Sequence, residues 1–298
     1  MGTVERKLTY FKMEGPVISF GILGCGRIAK RHADILSSGN IKGARLQAVC
    51  DVVAERARFF GEKYGVRSYL KLEEMLEKEK LDVVLVLTPS GLHAEHTIKV
   101  AKHRKHVVVE KPMALRLEDA DSMIRECDIA GVKLFVVKQN RFNLPVLKLR
   151  EAVEKNRFGK LVLGTVRVRW CRTQEYYDQD DWRGTWSMDG GVFANQASHH
   201  IDLLLWMMGE AQSVFAKAIT ILVNIETENT GIAIIKFNSG ALGVVEATTA
   251  TRPKDLEGSI SILGEKGSVE IGGFAVNEMK IWNFVDREPE DDIVFEKY

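Results

Sequence analysis

Residues 17–29 read VISFGILGCGRIA. An apolar run of strand length ends in Gly-x-Gly-x-x-Ala, and the glycine pattern opens an amphipathic stretch of helical period. A strand followed at once by a glycine turn and a helix is typical of a dinucleotide site, where glycines allow a tight turn and the close approach of a pyrophosphate to the helix N-terminus. We therefore predict that the dinucleotide contacts lie at Gly24, Gly26, Arg27 and Ile28.

Short apolar runs alternate with amphipathic stretches through the first half of the chain. The runs are apolar at consecutive positions, which is typical of strands covered on both faces, as in a parallel sheet. Predicted strands are 17–23, 46–50, 83–87, 107–109 and 134–137, and predicted helices are 28–36, 54–64, 72–78, 94–102 and 117–130. This α/β pattern predicts a doubly wound parallel sheet, that is, an N-terminal Rossmann domain.

From about residue 160 the pattern changes to longer strands joined by hairpin signals at 238–240 and 264–267, with one helical stretch near 198–208. This pattern predicts an α+β domain with a large, open, mostly antiparallel sheet. We place the two domains at 1–138 and 139–298.

The predicted strand 232–237 is apolar on both of its alternating faces, since Ile232 and Ile234 point one way while Ala233, Ile235 and Phe237 point the other. Helices can cover one face, and another subunit can cover the second. We therefore expect a homo-oligomer, a tetramer or a dimer, that assembles through the C-terminal sheet.

Composition excludes several classes of protein. The 298 residues carry a formal net charge of +1, so no overall field favours nucleic acid or an anionic membrane. No apolar run approaches the roughly 18 residues of a membrane span, and charges scattered through the first fourteen positions argue against a signal peptide, so a cytoplasmic location is expected. The four cysteines show no CxxC spacing, and we expect free thiols and no metal site.

The cofactor is predicted from Asp51, which ends the second predicted strand 25 residues after Gly26 (51 − 26). A carboxylate at this place accepts hydrogen bonds from the adenosine ribose. It repels a 2′-phosphate, and Val52 and Val53 offer no arginine to hold one. The prediction is NAD rather than NADP, with an ordinary helix cap as the alternative role of Asp51.

Two loops follow later strands at the carboxyl edge of the predicted sheet, where ligands of open α/β sheets bind. Residues 88–93 read TPSGLH, and Thr88, Pro89, Ser90 and His93 are predicted cofactor contacts, with a plain loop as the alternative for Ser90 and His93.

The second of these loops contains Glu110-Lys111-Pro112. It places Glu110 and Lys111 near the nicotinamide end of the cofactor. There the lysine ammonium can polarise a substrate hydroxyl or stabilise an alkoxide.

A third constellation runs from Asp189 to Asp202 and contains Asn195 and His199. If residues 195–208 are helical, Asn195 and His199 are four apart and share a face. His199 can then act as a general base for a hydroxyl proton while Asn195 orients the substrate or the imidazole. A structural histidine is the alternative, and no carboxylate or cysteine completes a zinc set with the neighbouring histidines.

Arginines and aromatic residues interleave between residues 167 and 186. Such a mixture suits a ligand that combines phosphates or a carboxylate with a stackable base. A nucleotide sugar fits better than single-stranded nucleic acid, which needs a wider basic groove. The alternative is a solvated strand whose tryptophans pack the domain joint. The predicted substrate contacts in this cluster are Arg172, Tyr176, Trp182 and Arg183.

In combination these motifs resemble the family of glucose-fructose oxidoreductase, inositol dehydrogenase and rhizopine catabolism oxidoreductases, from Val17 to about Phe284. The resemblance implies catalytic roles for Lys111 and His199. Many members of the family carry aspartate at the position of Asn195, so this chain departs from them there.

Four further segments resemble one branch of the family, the UDP-N-acetylglucosaminuronic acid 3-dehydrogenases of surface-polysaccharide biosynthesis. They are 137–141 (VKQNR), 174–178 (QEYYD), 182–186 (WRGTW) and 195–199 (NQASH). This resemblance implies NAD-dependent oxidation of the sugar C3 hydroxyl on the way to lipopolysaccharide, with Arg141, Lys111, Asn195 and His199 also at the substrate. The alternatives are a dehydrogenase of a free sugar or inositol, and a non-catalytic NAD-binding sensor or scaffold.

Overall fold

The structure is a computed structural model that describes residues 17–298. The first fourteen positions, on which the expectation about a signal peptide rests, lie outside this range. The described chain forms two compact units. The first comprises the residues up to Thr88, His93–Glu110 and Asp121–Phe135; the second comprises Pro89–Leu92, Lys111–Ala120 and Val136–Tyr298. The domain limits expected at 1–138 and 139–298 stay a prediction.

The first unit is built on a six-stranded sheet. Its strands are β1 (Ile18–Leu23), β2 (Ala44–Cys50), β3 (Arg67–Tyr69), β4 (Val83–Val86), β5 (His106–Val109) and β6 (Leu134–Val136). The helices of this part of the chain are α1 (Arg27–Ser37), α2 (Ala54–Tyr64), α3 (Leu72–Lys78), α4 (His93–Lys102) and α5 (Leu117–Ala130). Ile22, Val49 and Leu85 on neighbouring strands are buried together with Ala29 of α1.

The strand order is β3-β2-β1-β4-β5-β6, and β1 pairs in parallel with both β2 and β4. The order reverses between β1 and β4, which is the switch point where ligands of doubly wound sheets bind. The glycine turn follows β1, so it lies at this point. The predicted Rossmann fold is confirmed.

The second unit is built on a seven-stranded sheet. Its strands are β7 (Leu161–Arg169), β8 (Ala211–Ile219), β9 (Thr230–Phe237), β10 (Leu242–Thr248), β11 (Glu257–Gly264), β12 (Gly267–Gly272) and β13 (Glu278–Phe284). Its helices are α6 (Leu144–Glu154), α7 (Gln174–Tyr177), α8 (Ser198–Met208) and α9 (Val294–Lys297), with a π-helical turn at Val192–Gln196. The order is β13-β12-β11-β7-β10-β9-β8, and its pairs are antiparallel except β7 with β10. The predicted open, mostly antiparallel sheet is confirmed.

Helix α8 covers one face of this sheet. Gly164 of β7 leaves room for it, since a Cβ there would lie 2.7 Å from Leu204 and 2.9 Å from Met208. The other face stays open around β9, where Ile232 is 54% and Ile234 is 50% exposed. The predicted two-faced apolar strand is therefore present in the structure, and the subunit expected to cover its open face stays a prediction.

Candidate active site

In the glycine turn after β1, position 24 requires a glycine, whereas a side chain at position 26 would extend into open space. Gly24 has a φ of +95°, and a Cβ there would lie 2.8 Å from the backbone of Leu87. Gly26 is the N-cap of α1, and a Cβ there would meet nothing within 4 Å. The first turn of α1 contains no acidic residue. An open glycine at a helix N-terminus without acidic residues fits a pyrophosphate, so the turn can hold a dinucleotide.

Asp51 holds the glycine turn in place. Its Oδ2 accepts a hydrogen bond of 2.7 Å from the backbone N–H of Cys25, and its Oδ1 accepts one of 2.8 Å from Val53. The carboxylate is 7% exposed. Asp51 therefore caps the following turn and links β2 to the glycine loop, while each oxygen retains acceptor capacity for a ribose hydroxyl.

The loop after β4 is held in place by hydrogen bonds between Thr88 and two histidines. Nδ1 of His96 lies 3.0 Å from Oγ1 of Thr88, and Nε2 of His93 lies 2.9 Å from the carbonyl oxygen of Thr88. His93 is only 1% exposed and Ser90 only 6%. His93 and His96 thus fix the position of Thr88, and the cofactor contacts expected at Thr88, Pro89, Ser90 and His93 stay a prediction.

Glu110 at the end of β5 is also tied to the first unit. Its Oε1 lies 2.8 Å from Nε2 of His32 on α1. The next residue, Lys111, belongs to the second unit. The carboxylate of Glu110 therefore contacts the first unit, while Lys111 belongs to the second.

Lys111 is held by the π-helical turn of the second unit. Its Nζ donates hydrogen bonds to the carbonyl oxygen and to Oδ1 of Asn195, at 2.8 and 2.9 Å. Nδ2 of Asn195 in turn donates to Oδ1 of Asp189. Lysine, amide and buried carboxylate thus form one connected chain of hydrogen bonds.

The predicted continuous helix through Asn195 and His199 is not formed. Asn195 lies in the π-helical turn, which ends at Gln196, and α8 begins at Ser198. A glycine with a φ of +78°, Gly191, precedes the turn. Since residues 195–199 do not follow one α-helix, the four-residue spacing does not place the two side chains on a common face, and Asn195 contacts Lys111 instead.

His199 is buried at the start of α8, with 6% of its surface exposed. The amide Nε2 of Gln139 donates to its Nε2 at 3.0 Å, so this ring nitrogen carries the lone pair of a neutral imidazole. Within residues 17–298 its Nδ1 has no hydrogen-bond partner. Burial, reinforced by the positive charges of Lys111 and Lys138, lowers the pKa of His199 to about 3. The residue is therefore neutral at physiological pH and can accept a proton.

Lys138 and Arg141 lie on the segment that also carries Gln139. Arg141 donates to both oxygens of Asp202, at 2.7 and 2.8 Å, and its guanidinium lies over Trp206. Lys138 lies 3.6 Å from Asp202, and burial lowers its pKa. The predicted substrate contact Arg141 is thus neutralised by Asp202.

The predicted arginine and aromatic residues form a cluster of cation–π contacts. Arg183 lies 4.5 Å from the ring centre of Trp182 and 4.7 Å from that of Tyr176, and Arg172 lies 5.3 Å from Tyr176. Their charges are paired, Arg183 with Asp180 at 3.0 Å and Arg172 with Asp255 at 3.0 Å. The cluster contacts the π-helical turn through Tyr176, whose hydroxyl accepts a hydrogen bond of 3.5 Å from Gln196.

Asp189, Gln139 and Lys138 lie in segments that sequence reasoning singled out, but none of the three was assigned a role in the site. Asp189 begins the Asp-Gly-Gly run before the π-helical turn, and a carboxylate beside two glycines was the available signal. Gln139 begins the 3₁₀ helix Gln139–Phe142, and Lys138 is its N-cap. Both residues lie in the segment 137–141 that carries the resemblance, but only Arg141 was predicted as a contact there. Their proximity to His199 arises from tertiary packing.

The described residues show no group of three or more His, Cys, Asp or Glu side chains placed to hold a metal ion. All four cysteines, which lie in the described part of the chain, are unpaired, and Cys25, Cys50 and Cys127 are buried. Among residues 17–298 no helix is long and apolar enough to cross a bilayer.

Both units match known protein families. Residues 18–138 match the oxidoreductase family with an NAD-binding Rossmann fold, and residues 146–270 match the GFO/IDH/MocA C-terminal domain. Among curated relatives, myo-inositol 2-dehydrogenase of Thermotoga maritima is 34% identical over 258 residues, which are 84% of this chain and 73% of the relative.

Two solved structures resemble the protein more strongly. The WlbA dehydrogenase from Chromobacterium violaceum, in complex with NADH and UDP-GlcNAcA, is 45% identical with a TM-score of 0.92 over 95% of this chain and 82% of that chain. WlbA from Bordetella pertussis, in complex with the same two molecules, is 46% identical with a TM-score of 0.91 over 93% of this chain and 83% of that chain. The predicted cofactor, NAD, is confirmed by the matched domain. The chain therefore belongs to the GFO/IDH/MocA family of NAD-binding oxidoreductases.

Proposed function

We propose that the protein is an NAD-dependent dehydrogenase that oxidises the C3 hydroxyl of UDP-N-acetylglucosaminuronic acid to a ketone, a step toward lipopolysaccharide sugars. The observation that carries the proposal is the buried His199, whose imidazole is kept neutral by burial and by the nearby charge of Lys111. The similarity to two dehydrogenases crystallised with NADH and UDP-GlcNAcA supports the choice of substrate.

NAD supplies the acceptor for the hydride that leaves C3. The hydroxyl proton passes to the lone pair on Nε2 of His199, the same lone pair that accepts a hydrogen bond from the amide of Gln139 in the structure. Lys111 stabilises the negative charge that develops on the oxygen. The carbon loses a hydride and the oxygen loses a proton, so the alcohol becomes a ketone.

The low pKa of His199 is compatible with an anionic substrate. A histidine with a pKa of about 3 is a weak base. A bound uronate adds a negative charge that opposes those of Lys111 and Lys138, and it therefore raises the pKa of the imidazole toward the pH of the reaction. A neutral polyol offers no such charge.

A second candidate is an inositol dehydrogenase, favoured by the 34% identity to the Thermotoga enzyme. A third, from another class, is an NAD-binding sensor without catalysis, for which neither Lys111 nor His199 is needed.

The test is NAD reduction, followed at 340 nm, with UDP-GlcNAcA, UDP-GlcNAc, UDP-glucuronate, free GlcNAcA and myo-inositol. We expect the highest kcat/KM with UDP-GlcNAcA, and UDP-GlcNAc is the matched control, which carries a neutral hydroxymethyl group in place of the carboxylate. Faster reduction with myo-inositol would establish the second candidate. NAD binding without reduction by any of the five would favour the sensor.

A further inference from the structure

Asp189 is a buried carboxylate that the proposed reaction does not use directly. It is 4% exposed, and both of its oxygens accept hydrogen bonds: Oδ2 from the backbone N–H of Gly184 at 2.7 Å, and Oδ1 from the side-chain amide of Asn195. Both partners are donors, as an ionised carboxylate requires, because it can only accept. The group is therefore fixed on two sides.

The two bonds determine which way the amide of Asn195 points. Since Nδ2 faces Asp189, Oδ1 must face the other way, and it lies 2.9 Å from Nζ of Lys111. An amide turned over would present its N–H₂ group to the ammonium, so that two donors would meet. The orientation of one side chain thus decides whether Lys111 is attracted to this position or repelled from it.

We propose that Asp189 is a positioning residue of the active site, which acts on the reaction by holding the amide of Asn195 so that its oxygen directs the ammonium of Lys111. The inference deepens the function proposed above and rests on it. Asp189 acts through Asn195 and has no direct role toward the substrate or the cofactor.

The charges around the carboxylate agree with this role. Burial raises the pKa of Asp189, while its two hydrogen bonds and the nearby charges of Arg183 and Lys111 act in the opposite direction. Tyr177 and Glu228 lie close enough for its charge to raise the pKa of each, a minor contribution beside burial. The charge of Lys111 also lowers the pKa of His199.

The decisive variant is Asp189→Asn, which preserves shape and removes the charge. The new amide oxygen must accept from Gly184, so its N–H₂ group faces Nδ2 of Asn195. Asn195 then turns over, and its N–H₂ group meets Lys111. We expect kcat with UDP-GlcNAcA to fall by about tenfold or more, as for a displaced catalytic group, with KM for NAD unchanged.

Rescue comes from the double variant Asp189→Asn/Asn195→Asp. The amide at 189 now donates to the carboxylate at 195, whose other oxygen faces Lys111, so an acceptor again meets the ammonium. We expect kcat to recover most of the loss. A merely structural role predicts that the double variant recovers its melting temperature but not kcat, since two residues in contact are coupled in stability whatever they do in the reaction.

Asp291→Asn is the matched control. Asp291 is a carboxylate of the same unit, 7% exposed, that accepts from Arg157 and from the indole N–H of Trp282. Its replacement is expected to lower the melting temperature and to leave kcat unchanged.

A second readout needs no substrate. The rate at which an N-hydroxysuccinimide ester acylates Lys111, followed by peptide mass spectrometry across pH, reports the fraction of neutral amine. Removing a neighbouring negative charge favours the neutral amine, so the acylation midpoint of Asp189→Asn should lie at lower pH than that of the unchanged protein and of Asp291→Asn.

The outcomes separate the two proposals. If the unchanged protein reduces no NAD with any UDP-sugar, the proposed function fails, while the acylation midpoint still tests the inference. If kcat and the midpoint of Asp189→Asn match the unchanged protein, the inference is overturned. If the single variant does not fold, the double variant decides: recovered activity supports the inference, and a folded, inactive protein contradicts it.

Discussion

Nζ of Lys111 lies 2.8 Å from the carbonyl oxygen of Asn195 and 2.9 Å from its Oδ1. One residue thus supplies two acceptors to the ammonium, one from the backbone and one from the side chain. Because Asn195 belongs to a π-helical turn, its carbonyl is not committed to a regular α-helical ladder. The irregular turn is therefore the element that orients the lysine, and His199 at the start of α8 follows four residues later.

Lys111→Ala and His199→Ala should each lower kcat by roughly a hundredfold or more, the range of positioned acid–base groups. The losses should be less than multiplicative in the double variant, since groups that act as one unit are not additive. Steady-state kinetics with UDP-GlcNAcA provides the measurement, and the Kd for NAD of the His199 variant, from fluorescence titration, is the control. An unchanged kcat in His199→Ala would show that His199 takes no part in the reaction and that α8 has a structural role alone.

Much of the first unit could be predicted because its signals are local. Helices α2, α3 and α5 begin and end where the periodicity predicts, and each predicted strand overlaps an observed one. Strand β3 was missed because it has three residues, Arg67–Tyr69, and no apolar run. In the second unit, helix α6 was missed, although Pro145 at its start is a typical first-turn residue.

The site was less predictable because its geometry depends on breaks in regular structure. A spacing of four residues indicates a common face only within an α-helix, and the π-helical turn before α8 removes that condition for Asn195 and His199. The charge partners of Arg141, Arg172 and Arg183 are aspartates that pack against them in the fold. Composition indicates a cationic cluster but cannot reveal which charges are already paired.

Gly26→Ala and Gly24→Ala should separate cofactor binding from folding. A methyl group at Gly26 meets no protein atom within 4 Å and occupies the place expected for the pyrophosphate, so NAD affinity should fall with little change in melting temperature. At Gly24 the φ of +95° and the backbone of Leu87 at 2.8 Å oppose any side chain, so that variant should be destabilised by at least about 1 kcal/mol. Calorimetry and NAD titration measure the two effects, and equal NAD affinity in Gly26→Ala and the unchanged protein contradicts the pyrophosphate position.

Asp51 should make NAD bind at least roughly tenfold more tightly than NADP, a difference of about 1.4 kcal/mol. A buried carboxylate facing a 2′-phosphate leaves like charges unpaired. Asp51→Asn keeps an acceptor for one backbone N–H and removes the charge. The preference for NAD over NADP should therefore decrease. Titration of both cofactors against both proteins decides this, and equal affinities in the unchanged protein would remove Asp51 from cofactor selection.

The open face of the second sheet should be covered by another subunit. Phe215 lies opposite Ile234 in the register of β8 and β9, and the two are 65% and 50% exposed. We expect a dimer or tetramer at micromolar concentration, and Ile234→Glu should shift it toward monomer because it buries a charge in the interface. Light scattering measures the mass. Phe59→Glu, at a 58% exposed position of α2, is the control, and a monomeric unchanged protein contradicts the prediction.

Stability should fall as the pH drops below about 6.5, because two buried histidines stay neutral in the folded protein. Burial lowers the pKa of His200 to about 4 and that of His199 to about 3, from an ordinary value of 6.5. Between pH 6.5 and 4 the unfolded chain binds protons at both positions and the folded chain does not. The free energy of unfolding therefore decreases by about 1.4 kcal/mol per pH unit for each histidine as the pH falls through this window, and neither contributes to the slope above it.

His200 is the better probe of this effect, since His199 belongs to the proposed reaction. Its ring makes an edge contact with Trp170, with 5.8 Å between ring centres, and it is fully buried. His200→Gln has no titrating group there, so its loss of stability from about pH 6.5 to 5 should be smaller than that of the unchanged protein by about 1.4 kcal/mol per pH unit. Urea unfolding at several pH values measures the slope, with the exposed His103→Gln as control. Equal slopes for His200→Gln and the unchanged protein would show that His200 is protonated in the folded state and that burial does not hold it neutral.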